Sequence, residues 1–170
     1  MFRKLIISVM VTGLLVLGLA SVYAEGPKPD QKDKCPVCGM AVASYTNWIS
    51  AIEFKDGTKV FFDGPKDMFR FYFNMKKYGS DKTRADVSAV YVTEYYSTKM
   101  MNAAEEDLYF ITGSNVYGPM GMELVPVKGK KQAETFMKDH NGKKTLRFSE
   151  VTMKDIPMKM KGMKMKMKGM

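Results

Sequence analysis

The chain has 170 residues but only two cysteines, one histidine and one tryptophan. Two cysteines confined to one short motif are too few for a disulfide-stapled scaffold. Two Cys and one His also leave a structural zinc site, which takes about four ligands, one short unless a carboxylate joins. No Ser/His/Asp set, paired-carboxylate motif or glycine-rich phosphate loop stands out, so the chain is expected not to be an enzyme. There is one long apolar run, Leu5 to Leu19. Arg3 and Lys4 precede it, and Val22-Tyr23-Ala24 offers a small-x-small cleavage site before Glu25. Residues 1–24 therefore read as a secretory signal that sends the protein to the periplasm. The run is near the lower limit for a membrane span, but the polar Gly/Pro stretch after it favours cleavage over a retained anchor. No cysteine stands at the cleavage position, which closes the lipoprotein route.

About 146 residues follow the signal, enough for one compact domain. The net charge of +9 would ordinarily raise nucleic acid as a partner. The export signal argues against it, and the excess positive charge gathers in the C-terminal tail. Acidic proteins or a membrane surface fit better. Residues 25–34 read as a flexible linker. The Trp48–Phe54 alternation predicts a strand, Lys55-Asp56-Gly57-Thr58 a hairpin turn, and Lys59–Phe62 the return strand. Asp63 is expected to cap a helix with Pro65 in its first turn, an aromatic face at Phe69, Tyr72 and Phe73, and an end near Tyr78-Gly79. Further strands are expected over Ser88–Tyr96, Leu108–Thr112, Met122–Val127 and Thr145–Val151, with a polar connection at Asn102–Asp107. A short helix is expected over Lys130–His140, ended by Asn141-Gly142. The pattern is strand–turn–strand–helix, twice. The class is α+β: small antiparallel sheets with packed helices, built from two β-β-α type units.

The residues richest in chemistry are Cys35 and Cys38. A CxxC loop brings two thiols close enough for a local disulfide, a redox pair, half a zinc site or a soft-metal site. A redox motif normally follows a strand at a helix N-terminus, whereas this one precedes the first strand. Pro36 and Gly39 favour a turn. Met40 points to copper, because a thioether is a poor zinc ligand and a good Cu(I) ligand. A second thioether pair, Met120 and Met122, lies in Gly118-Pro119-Met120-Gly121-Met122. The glycines around Met120 leave room for another segment to approach. Packing is the ordinary role of methionine, and Met68, Met75 and Met137 are expected to pack on helix faces. Met100 and Met101 are left unassigned. His140 is read first as a helix C-terminal residue favoured by the dipole and second as a ligand.

Taken in order, these pieces resemble the NosL family of accessory proteins for nitrous oxide reductase maturation. The resemblance rests on Cys-Pro-Val-Cys-Gly-Met at 35–40, Phe-Lys-Asp-Gly at 54–57, Phe-Phe-Asp-Gly at 61–64 and Gly-Pro-Met-Gly at 118–121. It spans roughly residues 35–151. It implies a periplasmic Cu(I) metallochaperone that takes copper from a donor and delivers it to a copper enzyme, nitrous oxide reductase. It implies Cys38 and Met120 as core ligands, Cys35 and Met40 as further members of the motif, and His140 at the position of a histidine found after the last helix in some members. The alternatives are an extracytoplasmic CxxC thiol–disulfide oxidoreductase and a passive copper buffer.

Two features depart from that family pattern: the missing lipidation cysteine and the tail. Of 17 methionines, six fall within the last 13 residues, where they alternate with lysines and two glycines. Residues 152–170 are expected to be disordered, having little to bury and much like charge. The tail thioethers are expected to collect Cu(I) weakly. The lysines are expected to steer the tail toward an acidic partner or to make peripheral contact with a membrane.

Overall fold

The computed structural model describes residues 26–157. The expected signal and the tail from Met158 lie outside them. Among the described residues, no helix is long and apolar enough to cross a membrane.

The first unit is built as the alternation predicts. Strand β1 (Ser50–Phe54) turns through Asp56-Gly57 into β2 (Lys59–Phe62). Gly57 has φ +83°, a left-handed conformation that glycine adopts without a steric penalty, and the Thr58 amide donates to Asp56 Oδ1 at 3.1 Å. Helix α1 (Pro65–Phe73) follows, and a 3₁₀ turn (Met75–Tyr78) ends at left-handed Gly79. Strand β3 (Val87–Thr93) returns to the far side of β1, and β4 (Met100–Asn102) adds to its edge, giving the antiparallel order β2-β1-β3-β4.

The second unit repeats the plan. Strands β5 (Leu108–Thr112) and β8 (Val125–Lys128), helix α2 (Lys130–Asp139) and β9 (Lys144–Leu146) form a sheet of order β8-β5-β9. In both units the first strand is central, the second lies on one side, and the strand after the helix lies on the other. The α+β class and the doubled strand–strand–helix plan are thus present, each unit extended by a returning strand. Between β5 and β8 runs a small hairpin of β6 (Tyr117–Gly118) and β7 (Gly121–Met122). The expected Met122–Val127 strand is split between this hairpin and β8. The expected Thr145–Val151 strand is β9 followed by a 3₁₀ turn, Phe148–Glu150.

Strand periodicity assigns two cores. Leu108 and Phe110 point into a large core shared with α1, while Tyr109 and Ile111 face the smaller one under α2. Phe69 of α1 meets Phe110 edge-on, with ring centroids 5.1 Å apart, so the first helix stitches the two units together. Met68 and Met75 are buried in the shared core, Met100 and Met101 pack against it, and Met137 packs against the smaller core.

Two expected boundaries move. Residues 26–34, expected as a free linker, are tied to the domain. Gly26 lies so close to the Met100 side chain that a Cβ there would meet Cγ at 2.5 Å, and Lys34 bridges Ala41. At the other end, Ile156 is buried and Thr112 Oγ1 donates to the Asp155 carbonyl at 3.1 Å. The packed chain therefore continues to Pro157, past the expected limit at 151.

Candidate metal centre

The CxxC segment is a closed turn. The Lys34–Ala41 bridge shuts its mouth, the Cys35 amide donates to the Met40 carbonyl at 2.9 Å, and the Gly39 amide donates to the Cys35 carbonyl at 2.8 Å. Gly39 takes φ +80°, which lets the chain reverse within five residues. Both thiols are free. Cys35 is 1% exposed, and Cys38 is half-buried.

The turn sits on the start of α1. Cys38 Sγ lies 3.2 Å from Asp63 Oδ1, and Cys35 Sγ lies 3.9 Å from Asp67 Oδ2. Asp67 lies in the first turn of α1 and Asp63 just before its Gly64 N-cap, and both carboxylates face the thiols. One ligand atom from each of the four residues falls within 4.8 Å of the others. Among the described residues this is the only such group of His, Cys, Asp or Glu. The Asp63 carboxylate does not cap α1 as expected. Gly64 is the N-cap residue and makes no side-chain cap bond.

The cap comes from the β6–β7 hairpin. Glu123 Oε2 accepts from the Lys66 amide at 2.8 Å and so satisfies an orphan donor of the first turn. Lys66 answers through its ammonium. Nζ donates to the Met120 carbonyl at 2.6 Å and the Met122 carbonyl at 2.9 Å, and lies 3.5 Å from Glu123 Oε1. Lys66 and Glu123 are each 2% exposed. The loop carrying Met120 is thereby pinned to the start of α1, beside Asp63 and Asp67. Neither Met120 nor Met122 belongs to the side chains of the two apolar cores, and both are half-buried.

Burial dominates the electrostatics. It pushes the Cys35 thiol up to about 11, aided by the Asp63 carboxylate. Burial likewise raises Cys38, against the Met40 amide, which favours the thiolate, and neighbouring Cys35 and Asp63 add to the rise. Glu123 is driven up to about 8 by burial, against the pull of the Lys66 ammonium and amide. The site thus holds protonated thiols at neutral pH. A soft cation would displace those protons, with carboxylates close enough to receive them.

Of the residues expected to bind metal, the structure brings Cys35 and Cys38 together and anchors the Met120–Met122 hairpin to the neighbouring helix turn. Met40 closes the thiol turn through its carbonyl and is half-buried. His140 lies elsewhere: its ring packs on Phe136 at 4.4 Å and Tyr95 at 5.8 Å, at the end of α2. Its carbonyl accepts from the Asn115 amide at 2.9 Å. Sequence reasoning missed Asp67, Lys66 and Glu123. The visible signal was a second aspartate, Asp67, in the first turn of an otherwise aromatic helix, four residues after Asp63.

A family model described as NosL matches residues 27–156. The fold is similar to the crystal structure of the copper chaperone NosL from Shewanella denitrificans, at 24% identity and a TM-score of 0.62. The match covers 76% of this chain and 98% of that one. No curated protein matches the chain.

Proposed function

Because the chain belongs to the NosL family, we propose that it is an extracytoplasmic Cu(I) metallochaperone that loads a copper enzyme, nitrous oxide reductase. The solved relative is itself a copper chaperone, which supports the copper reading. The observation that carries it is the pairing of two free thiols with a thioether hairpin locked to the same turn of α1. Cys38, half-exposed, and Met120 are the principal ligands. Cys35 completes the thiol pair and Met40 stands beside it.

Cu(I) is a d¹⁰ ion satisfied by two or three sulfurs, so this set leaves a position open to an incoming donor. A ligand from the recipient binds there before the chaperone's own ligands leave, and copper passes without being free. Cys38 offers the accessible side of the site; buried Cys35 holds the other. The thioldisulfide oxidoreductase alternative fits less well. Reactive cysteines have lowered pKa values at helix N-termini, whereas both thiols here are raised and lie in a turn.

Anaerobic titration of the reduced protein with a Cu(I) probe, and separately with Zn(II), tests the proposal. Tight Cu(I) binding with weaker zinc binding is expected. The opposite order would mean that the Asp63 and Asp67 carboxylates complete a zinc site and that the copper reading is wrong.

A further inference from the structure

Two sulfurs and two carboxylate oxygens within 4.8 Å of one another are a full set of donors for Zn(II), which takes Cys and Asp ligands in fours. Cu(I) needs only the sulfurs. The two carboxylates are not equally placed. Asp63 Oδ1 lies 3.2 Å from Cys38 Sγ, whereas Asp67 Oδ2 lies 3.9 Å from Cys35 Sγ. Zinc bonds of about 2.0–2.3 Å at tetrahedral angles put sulfur and oxygen roughly 3.5 Å apart, so the Asp63 edge already fits and the Asp67 edge is long. Arg70 stands on that long edge. Its Nη1 lies 2.9 Å from Asp67 Oδ1, three residues back on the same helix, and its Nη2 donates to the Pro157 carbonyl at 2.8 Å. The Asp67 side chain is 2% exposed and that of Arg70 18%, so water screens the pair little. The guanidinium is anchored through both terminal nitrogens and cannot turn away from Asp67 without losing charge-assisted contacts.

We propose that Arg70 sets the metal selectivity of this centre: it holds Asp67 back from the thiols, and so denies Zn(II) its fourth ligand while leaving Cu(I) its sulfurs. The proposal rests on the copper reading above and deepens it, by naming what keeps a divalent competitor out.

Ligand number is the first effect. With Asp67 committed to the arginine, zinc meets Cys35, Cys38 and Asp63, three donors where a structural site has four. Cu(I) is satisfied by two or three sulfurs and gains little from a carboxylate. Charge is the second effect, and it acts in the same direction. A fixed cation opposes a divalent ion twice as strongly as a monovalent one at the same place, and a carboxylate favours it twice as strongly. Arg70 cancels Asp67, so the entering ion feels the charge of one carboxylate in place of two. Lys66 and Glu123, the other ion pair at this end of α1, lie 3.5 Å apart and cancel each other.

The test measures both metals on the reduced full-length protein without oxygen, Zn(II) against a chromophoric chelator and Cu(I) against a Cu(I)-specific probe. Arg70→Gln is expected to raise the Zn(II) affinity relative to the Cu(I) affinity by about 10–100-fold, the size of effect that a group behind a metal ligand exerts. Removing an arginine with a purely structural role would weaken both metals together. Such a parallel loss, or an unchanged ratio, would overturn the proposal. Arg70→Gln also strands the Asp67 carboxylate in the interior and costs stability, so a second variant carries the point independently. Arg70→Gln combined with Asp67→Asn replaces one neutral pair by another and leaves no buried charge. It is expected to bind Zn(II) as the parent does, because Asp67 is idle in the parent. A loss of about tenfold or more would show that Asp67 ligates zinc with Arg70 in place, and the arginine would be no barrier. The parent alone decides the copper reading, which fails if the parent takes Zn(II) more tightly than Cu(I). The change of ratio on Arg70→Gln reports on the arginine whichever metal the parent prefers.

Discussion

The two units share one plan and differ at one turn. In each, a central strand pairs with its successor, a helix follows, and a third strand returns to the other side. Each helix begins after a glycine N-cap and carries lysine at its second position, Lys66 in α1 and Lys131 in α2. At the start of α1 this segment is buried: Asp63, just before the N-cap, and Lys66 and Asp67 of the first turn are each at most 2% exposed and bond to Cys38, Glu123 and Cys35 in place of water. In the second unit the residues matching Lys66 and Asp67, Lys131 and Gln132, face solvent, and the one matching Asp63, half-buried Lys128, pairs with Glu105. The scaffold is therefore indifferent to what occupies the turn. The chemistry sits in one unit only, between a thiol turn on one side and a methionine hairpin on the other.

The most severe break in this asymmetry is Cys38→Ser. It removes the accessible thiolate and should weaken Cu(I) binding by more than about 100-fold, beyond what loss of a supporting group costs. A competition titration measures it; parent-like affinity would leave the first unit as inert as the second. Next is a matched pair on the two helices. Lys66→Met strands the Glu123 carboxylate in the interior and should cost about 3 kcal/mol of stability. Lys131→Met, on the exposed turn, should stay within about 0.5 kcal/mol. Chemical unfolding of both decides the point, and equal losses would erase the comparison.

Proton release sharpens it further. Both thiols are raised, Cys35 to about 11, so each is protonated at neutral pH and must shed its proton to bind copper. Affinity should therefore rise with pH, by about tenfold per unit for each thiol that ligates, across about pH 6 to 8. A slope of one would assign copper to a single thiol, and a flat profile would exclude both. The smallest effect belongs to the sulfur of the hairpin. Met120→Leu should weaken copper binding roughly tenfold while changing stability by less than about 1.5 kcal/mol, because the volume is kept. His140→Phe, in the second unit, should leave copper affinity unchanged in the same assay. If His140→Phe weakens binding and Met120→Leu does not, the ligand set spans the units differently.

The first hairpin was legible almost residue by residue. Alternation and Asp-Gly are local signals, and β2 runs over Lys59–Phe62 as expected. Strands β4, β6 and β7 were not legible. They have two or three residues, are rich in Met and Gly, and exist because a neighbour pairs with them. Cys35 and Cys38 announce themselves through spacing, but the carboxylates facing them do not. The capping rule assigned Asp63 by proximity in sequence, whereas the group that caps α1 is Glu123, 57 residues from its partner Lys66. Local rules identify which residues prefer a helix start and say nothing of a distant side chain that arrives to take the place. The tail's first six residues were misread for a similar reason: Ile156 is a single apolar residue whose burial depends on the whole fold.

Glu123 also constrains how this chain can drift over generations. A Cβ on Gly64 would sit 2.8 Å from its Oε1, and one on Gly118 would sit 2.5 Å from its Cγ. The three positions are therefore a single hereditary unit. An alanine at 64 or 118 becomes tolerable only after residue 123 has shortened, and once both glycines have gained side chains the route back to glutamate is closed. Mutational scanning in parent and Glu123→Ala backgrounds would show this as sign epistasis. Gly64→Ala and Gly118→Ala should be harmful in the first background and neutral or restoring in the second.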